Sequence, residues 1–179
     1  VKELRLLYVP TALYSLRPDS DNPAKKQRSR AANAGKERRN QIVQLLTDEL
    51  FPDHDFEVHC ATLDLDDGSV GQKEGSDDPN DFPTDGRDAL NDWSPHLVYV
   101  DGGNTFWLHH CLEKGNWKPD IINCVTGPDA AVYIGKSAGA ILGGETVSTA
   151  TWKKMDNPKV VPGKEKYESW NDASGLNLA

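Results

Sequence analysis

Apolar and polar positions follow two alternating rhythms along the chain. Leu4 to Val9 is a short, mostly apolar run closed by Pro10, too brief for a helix and suited to a strand buried on both faces. Ile42, Val43, Leu45, Leu46 and Leu50 then recur at helical spacing, which predicts an amphipathic helix from about Glu37 to Phe51. Phe56 to Leu63 alternates in part and reads as the next strand. Leu97 to Val100 is an apolar strand that enters a glycine turn. A helical run follows it through Leu108 and Leu112 to Gly115. A second helix around Asp120 to Val125 ends at Gly127-Pro128. Ala131 to Ile134 then forms another apolar strand, which enters a glycine turn and a helix of small residues. Strands alternating with helices predict an α/β fold, a mostly parallel sheet flanked by helices, with its site beyond the carboxyl ends of the strands.

Two stretches lie outside this rhythm. From Arg17 to Arg39 there are eight basic and three acidic residues with Pro18 and Pro23, which reads as a solvated loop leading to the helix rather than as a grip for an anionic partner. From Asp64 to Asp92 ten acids face only Lys73 and Arg87. Asp64-Leu65-Asp66-Asp67-Gly68 lacks the later ligand positions and the closing glutamate of a calcium loop. The expectation is a solvated acidic loop with a short helix near Gly86 to Trp93.

The length of 179 residues suits one self-sufficient domain. Cys60, Cys111 and Cys124 form no CxxC pair, so neither a disulfide framework nor a zinc knuckle is expected, and a reducing, cytoplasmic setting is the simplest reading. A formal charge of -8 repels the phosphate backbone and argues against a nucleic-acid partner. The apolar runs fall far short of a membrane span, and no signal peptide is apparent at Val1.

Chemistry concentrates in the two glycine turns. Gly135-Lys136-Ser137-Ala138-Gly139 satisfies G-x-S-x-G where a buried strand gives way to a small-residue helix, the context a nucleophile elbow needs. Ser137 is equally suited to capping that helix. Asp101-Gly102-Gly103-Asn104-Thr105 lies on a separate strand-helix unit. Backbone N–H groups from Gly102 or Gly103 and from Ala138 could form a two-donor oxyanion hole. A nucleotide cradle is disfavoured, because no P-loop lysine and no G-x-G-x-x-G is present.

These segments, Val98 to Leu108 and Tyr133 to Leu142 with Thr146-Val147-Ser148-Thr149 beyond, resemble the dipeptidase E and cyanophycinase group of serine peptidases. The resemblance covers roughly Leu97 to Pro158. It implies a flavodoxin-like or class I amidotransferase-like sheet that hydrolyses small peptides, often next to aspartate, without metal or organic cofactor. By position it makes Ser137 the nucleophile and Gly103 and Ala138 the oxyanion donors, with Gly102 and Asn104 in the same turn. Serine at the elbow, rather than cysteine, disfavours amidotransferase chemistry.

The remaining parts of the apparatus are less legible. A histidine must take the serine proton, but His54, His59, His96, His109 and His110 all precede Ser137, whereas the family's base follows the nucleophile. Gly175 to Leu178 resembles the lead into that later strand, so the expectation is a partial domain that ends before the base. Direct counting for the acid lands near Trp152; Asp156 is the nearest candidate and Glu145 the second. Lys136 offers a cation to a substrate carboxylate, although a solvated lysine is the simpler reading, and His109 or His110 is a remote substitute for the base. The expected function is a serine peptidase of small peptides, possible as a homodimer, with a serine esterase or an inactive binding homologue as alternatives.

Overall fold

The computed structural model describes residues 2–15, 24–50, 52, 56–74, 78, 81–153, 156–169 and 173–178. Its centre is β1 (Lys2–Val9), where alternate side chains supply opposite faces of the sheet. Leu7 and Val9 join the larger core cluster, and Leu6 and Tyr8 the smaller. After a 3₁₀ turn at Thr11–Tyr14, α1 (Ala24–Gln44) runs into a wider π-type turn at Leu45–Leu50. Ile42, Val43 and Leu46 cover the Leu6/Tyr8 face. β2 (Phe56–Leu63) returns parallel to β1, and β3 (Val70–Glu74) folds back antiparallel on β2.

The chain then crosses to the other side of β1. α2 (Gly86–Asn91) leads to β4 (Leu97–Val100), parallel to β1, then α3 (Thr105–Lys114), α4 (Lys118–Thr126), and β5 (Val132–Gly135), parallel to β4. The strand order is β3-β2-β1-β4-β5. A short α5 (Ala138–Gly143), 3₁₀ turns at Val147–Lys153 and Pro158–Val160, and α6 (Glu165–Ser169) complete the described elements. The protein is thus α/β with a mostly parallel sheet flanked by helices. Strand order reverses between β1 and β4, the kind of switch point where open α/β sheets leave a crevice at their carboxyl edge.

Two expectations are corrected. The helix begins at Ala24, not near Glu37, so much of the basic stretch is helical; Ala, Lys, Arg and Gln are all strong helix formers. The acidic stretch is more than a solvated loop, because it contains β3 and sends Leu65 and Phe82 into the core. Thr11 Oγ1 donates to Asp64 at 3.0 Å and accepts from Leu65 N–H at 2.8 Å. Trp117 Nε1 donates to the Leu65 carbonyl at 2.9 Å. The short helix did form, at Gly86–Asn91, with Asp85 accepting from the Arg87 and Asp88 N–H groups.

Beyond α5, the 173–178 segment lies against the carboxyl end of that helix. Leu176, Asn177 and Leu178 N–H groups donate to the carbonyls of Leu142, Gly144 and Gly143. α3 is joined to this segment through His109, which is wholly buried. Its Nε2 lies 3.1 Å from the Ser174 carbonyl and its Nδ1 2.9 Å from the Tyr167 hydroxyl. The Ser174 carbonyl can only accept, so Nε2–H donates to it, while the Tyr167 hydroxyl stands between Nδ1 and the Phe106 carbonyl, to which it donates at 3.2 Å. Burial lowers the His109 pKa, and Lys166 and Lys118 act in the same sense against the opposing pull of Glu113.

The unfolded chain therefore binds a proton at this site at higher pH than the fold does. Stability is full above the ordinary histidine range and falls as pH drops below about 6.5, by up to ~1.4 kcal/mol per pH unit for one group. His109→Gln keeps a donor for Ser174 and removes the titration. Urea denaturation between pH 7.5 and 5.5 is expected to show a shallower loss in the variant than in the wild type. Equal slopes would mean that His109 titrates alike in both states.

Candidate functional site

The site forms where three parallel strands end together. Asp101 N–H donates to the Val9 carbonyl at 3.0 Å, Asn104 N–H to Ala12 at 2.9 Å, and Lys136 N–H to Val100 at 3.0 Å. These bonds carry the strand pairing into the loops after β1, β4 and β5, so Pro10–Ala12, Asp101–Asn104 and Lys136–Ser137 share one edge. Two glycines make such close contact possible. Gly103 has φ +150° and a Cβ there would stand 2.2 Å from the Ala12 oxygen; one on Gly139 would stand 2.1 Å from the Val100 oxygen. A side chain at either would collide with backbone.

Ser137 sits at the apex between β5 and α5 with φ 51° and ψ -104°, a conformation rare for any residue other than glycine. Its side chain makes no capping hydrogen bond to α5. Capping therefore does not account for the serine, and the residue is exposed. A Cβ added to Gly102 would lie 3.1 Å from Ser137 Cβ, so the two glycine turns meet at the serine. Ala138 is buried and opens α5, where the first N–H groups of a helix have no partner within it. Gly102 N–H, in contrast, donates to Asp101 Oδ1 at 2.6 Å. Gly103 is thus the residue of that turn whose N–H remains for another acceptor among the described residues.

The other predicted residues divide. Asn104 accepts from Trp107 N–H at 2.9 Å and donates through Nδ2 to the Asn157 carbonyl at 3.1 Å, so its side chain caps α3 and holds the 156–157 loop. Asp156 Oδ2 accepts from Thr105 N–H at 3.1 Å and from the Thr105 hydroxyl. The carboxylate is therefore brought beside the Gly103 turn by the start of α3. Trp152 is 81% exposed, and Glu145 is exposed at the far end of α5. Lys136 is half-exposed, with Nζ 3.9 Å from Asp101 Oδ1. Together with Arg38, Tyr99 and Asp101 it lines a small pocket of about 120 Å³ against α1.

The histidines engage other parts of the fold. His59 is buried between Glu3 and Glu57 and stacks on Phe82. His96 Nδ1 accepts from Arg5 N–H at the opposite end of β4. His109 is committed to Tyr167 and Ser174, and His110 rests on the Trp107 ring. His54 lies outside the described residues. No group of His, Cys, Asp and Glu among the described residues is arranged to hold a metal ion, and no helix among them is long and apolar enough to cross a membrane.

Asp101 is a further residue of this edge, hidden in the sequence within a glycine turn. Its carboxylate is wholly buried at the end of β4 and bonded to Tyr8, another buried residue. An acid placed directly after an all-apolar strand was the available signal.

A solved structure of a protein described as a peptidase E, from Listeria monocytogenes EGD-e, is similar to this chain at 18% identity with a TM-score of 0.49. The similarity covers 98% of this chain and 63% of that one, so the chain spans less than two thirds of the length of that protein. No curated protein matches. Residues 83–177, more than half of the chain and including both glycine turns, match the model of peptidase family S51; the chain belongs to that family.

Proposed function

We propose that this protein is a serine-type peptidase of small peptides, with Ser137 as the nucleophile. The observation that carries the reading is the backbone of Ser137. A strained, exposed serine between a strand and a helix, with no capping bond to explain it, is what a nucleophile elbow requires. In this reading the Ser137 hydroxyl attacks the peptide carbonyl, and the Gly103 and Ala138 N–H groups stabilise the oxygen that becomes negative. The leaving amine departs with a proton, and water releases the acyl-enzyme.

Asp156 is the acid in this reading. Both of its bonds to Thr105 fall on Oδ2; among the described residues Oδ1 accepts none and can orient an imidazole. No described histidine serves as the base. Lys136 and Arg38 border the pocket beside the elbow, and their two cations exceed the single charge of Asp101. That surplus suits a peptide bearing a carboxylate near the scissile bond.

A fluorophosphonate probe tests the nucleophile in the encoded full-length protein. The wild type is expected to label, and Ser137→Ala to lose labelling; adduct formation that survives this substitution would falsify the assignment. A panel of small peptides run against short-chain nitrophenyl esters then separates peptidase from esterase, with peptides expected to turn over faster. Gly103→Ala must displace the turn from Ala12, and a lost oxyanion donor costs roughly 100- to 1,000-fold in kcat. That variant is expected to fall by at least the lower figure with its circular dichroism unchanged; near-wild-type turnover would remove Gly103 from the oxyanion hole.

A further inference from the structure

A buried carboxylate is costly unless its charge is paired and its oxygens are bonded. Asp101 meets both conditions with groups from four parts of the fold. The Tyr8 hydroxyl, on β1, donates to Oδ2 at 2.6 Å, and Gly102 N–H donates to Oδ1 at 2.6 Å. Arg38 Nη1, on α1, lies 3.3 Å from Oδ1, and Lys136 Nζ, next to the nucleophile, lies 3.9 Å from it. With one oxygen taken by Tyr8 and the other by Gly102, the carboxylate is poorly placed to accept the Ser137 proton. Its bonds instead fix a backbone.

We propose that Asp101 is a positioning residue that clamps the Gly102–Gly103 turn against the Ser137 elbow, with Tyr8 as its anchor in the sheet. The inference rests on the serine-peptidase reading. While the Asn104 N–H bond to Ala12 fixes the peptide plane after Gly103, the carboxylate holds the Gly102 N–H inward, which removes that group as an oxyanion donor and fixes the Asp101–Gly102 plane. The next N–H is thereby oriented before substrate arrives, and preorganised donors are the ones that favour a transition state. Lys136 joins the clamp from the elbow itself, so the oxyanion turn and the nucleophile share one electrostatic contact. Tyr8 remains a donor throughout the working range, since burial and the adjacent carboxylate push its pKa far up.

The test compares wild type, Ser137→Ala, Asp101→Asn and Tyr8→Phe in the full-length protein by fluorophosphonate labelling, peptide kinetics and amide hydrogen exchange. Asparagine keeps the shape and removes the charge. Asp101→Asn is expected to slow labelling and kcat by about 10- to 100-fold, to leave KM within about twofold, and to speed exchange at Gly102. Tyr8→Phe is expected to shift the same quantities in the same direction by a smaller factor, and it carries the test if Asp101→Asn fails to fold. A residue that served stability alone would lower the melting temperature without this split between kcat and KM. Wild-type labelling rates in a folded Asp101→Asn or, failing that, Tyr8→Phe variant overturn the clamp and leave the nucleophile standing. Labelling that does not depend on Ser137 overturns the nucleophile, and the catalytic role of the clamp with it.

Discussion

The site depends on backbone touching backbone at two points, Gly103 against Ala12 and Gly139 against Val100. Each contact joins one strand end to the next, and neither leaves room for a methyl group. The parallel register supplies the reason. Because β1, β4 and β5 run in one direction, their loops leave from a common edge. Three hydrogen bonds, from Asp101, Asn104 and Lys136, continue the ladder past the last paired residues. Loops so tied can hold a serine at φ 51°, a geometry that costs of order 1–3 kcal/mol and persists only where the surroundings enforce it.

Legibility in the sequence followed the size of the apolar signal. β2 and β4 were readable to the residue because both are mostly apolar and bounded by polar or turn-forming residues. β3 was not: Val-Gly-Gln-Lys-Glu carries one large apolar side chain, enough for an edge strand that pairs on one side but too little for a pattern. The beginning of α1 was hidden differently. Its charge suggested solvent, while its helix propensity lay in the same lysines and arginines. Arg39 shows how far charge can mislead, being 2% exposed with its guanidinium bonded to Thr62 and Asn40.

The Ser137 turn and the Asp101–Thr105 turn were visible because glycine and serine at fixed spacing report backbone constraints, which are local. Partners for the proposed nucleophile are harder to read, since a triad would be assembled by tertiary contacts between distant segments. Asp156 lies beside the start of α3 because Thr105 and Asn104 hold the 156–157 loop, contacts across about fifty residues that no local pattern encodes.

Asp101 combines the two cases and explains the charge of the site. An isolated acid at the end of a buried strand has to be neutralised, and Arg38 and Lys136 both approach its Oδ1 to do so. Both cations come from segments that read as ordinary solvated positions, yet a carboxylate that is 1% exposed draws them together. The cations are themselves 40% and 54% exposed, so water screens their outer faces and much of their charge remains available to a ligand. A buried anion thus recruits a positive rim to the pocket beside Lys136 in a chain whose net charge is -8. For the proposed acidic peptide that rim matters more than the total, because at physiological salt fields fade over about 8 Å and the nearest charges dominate.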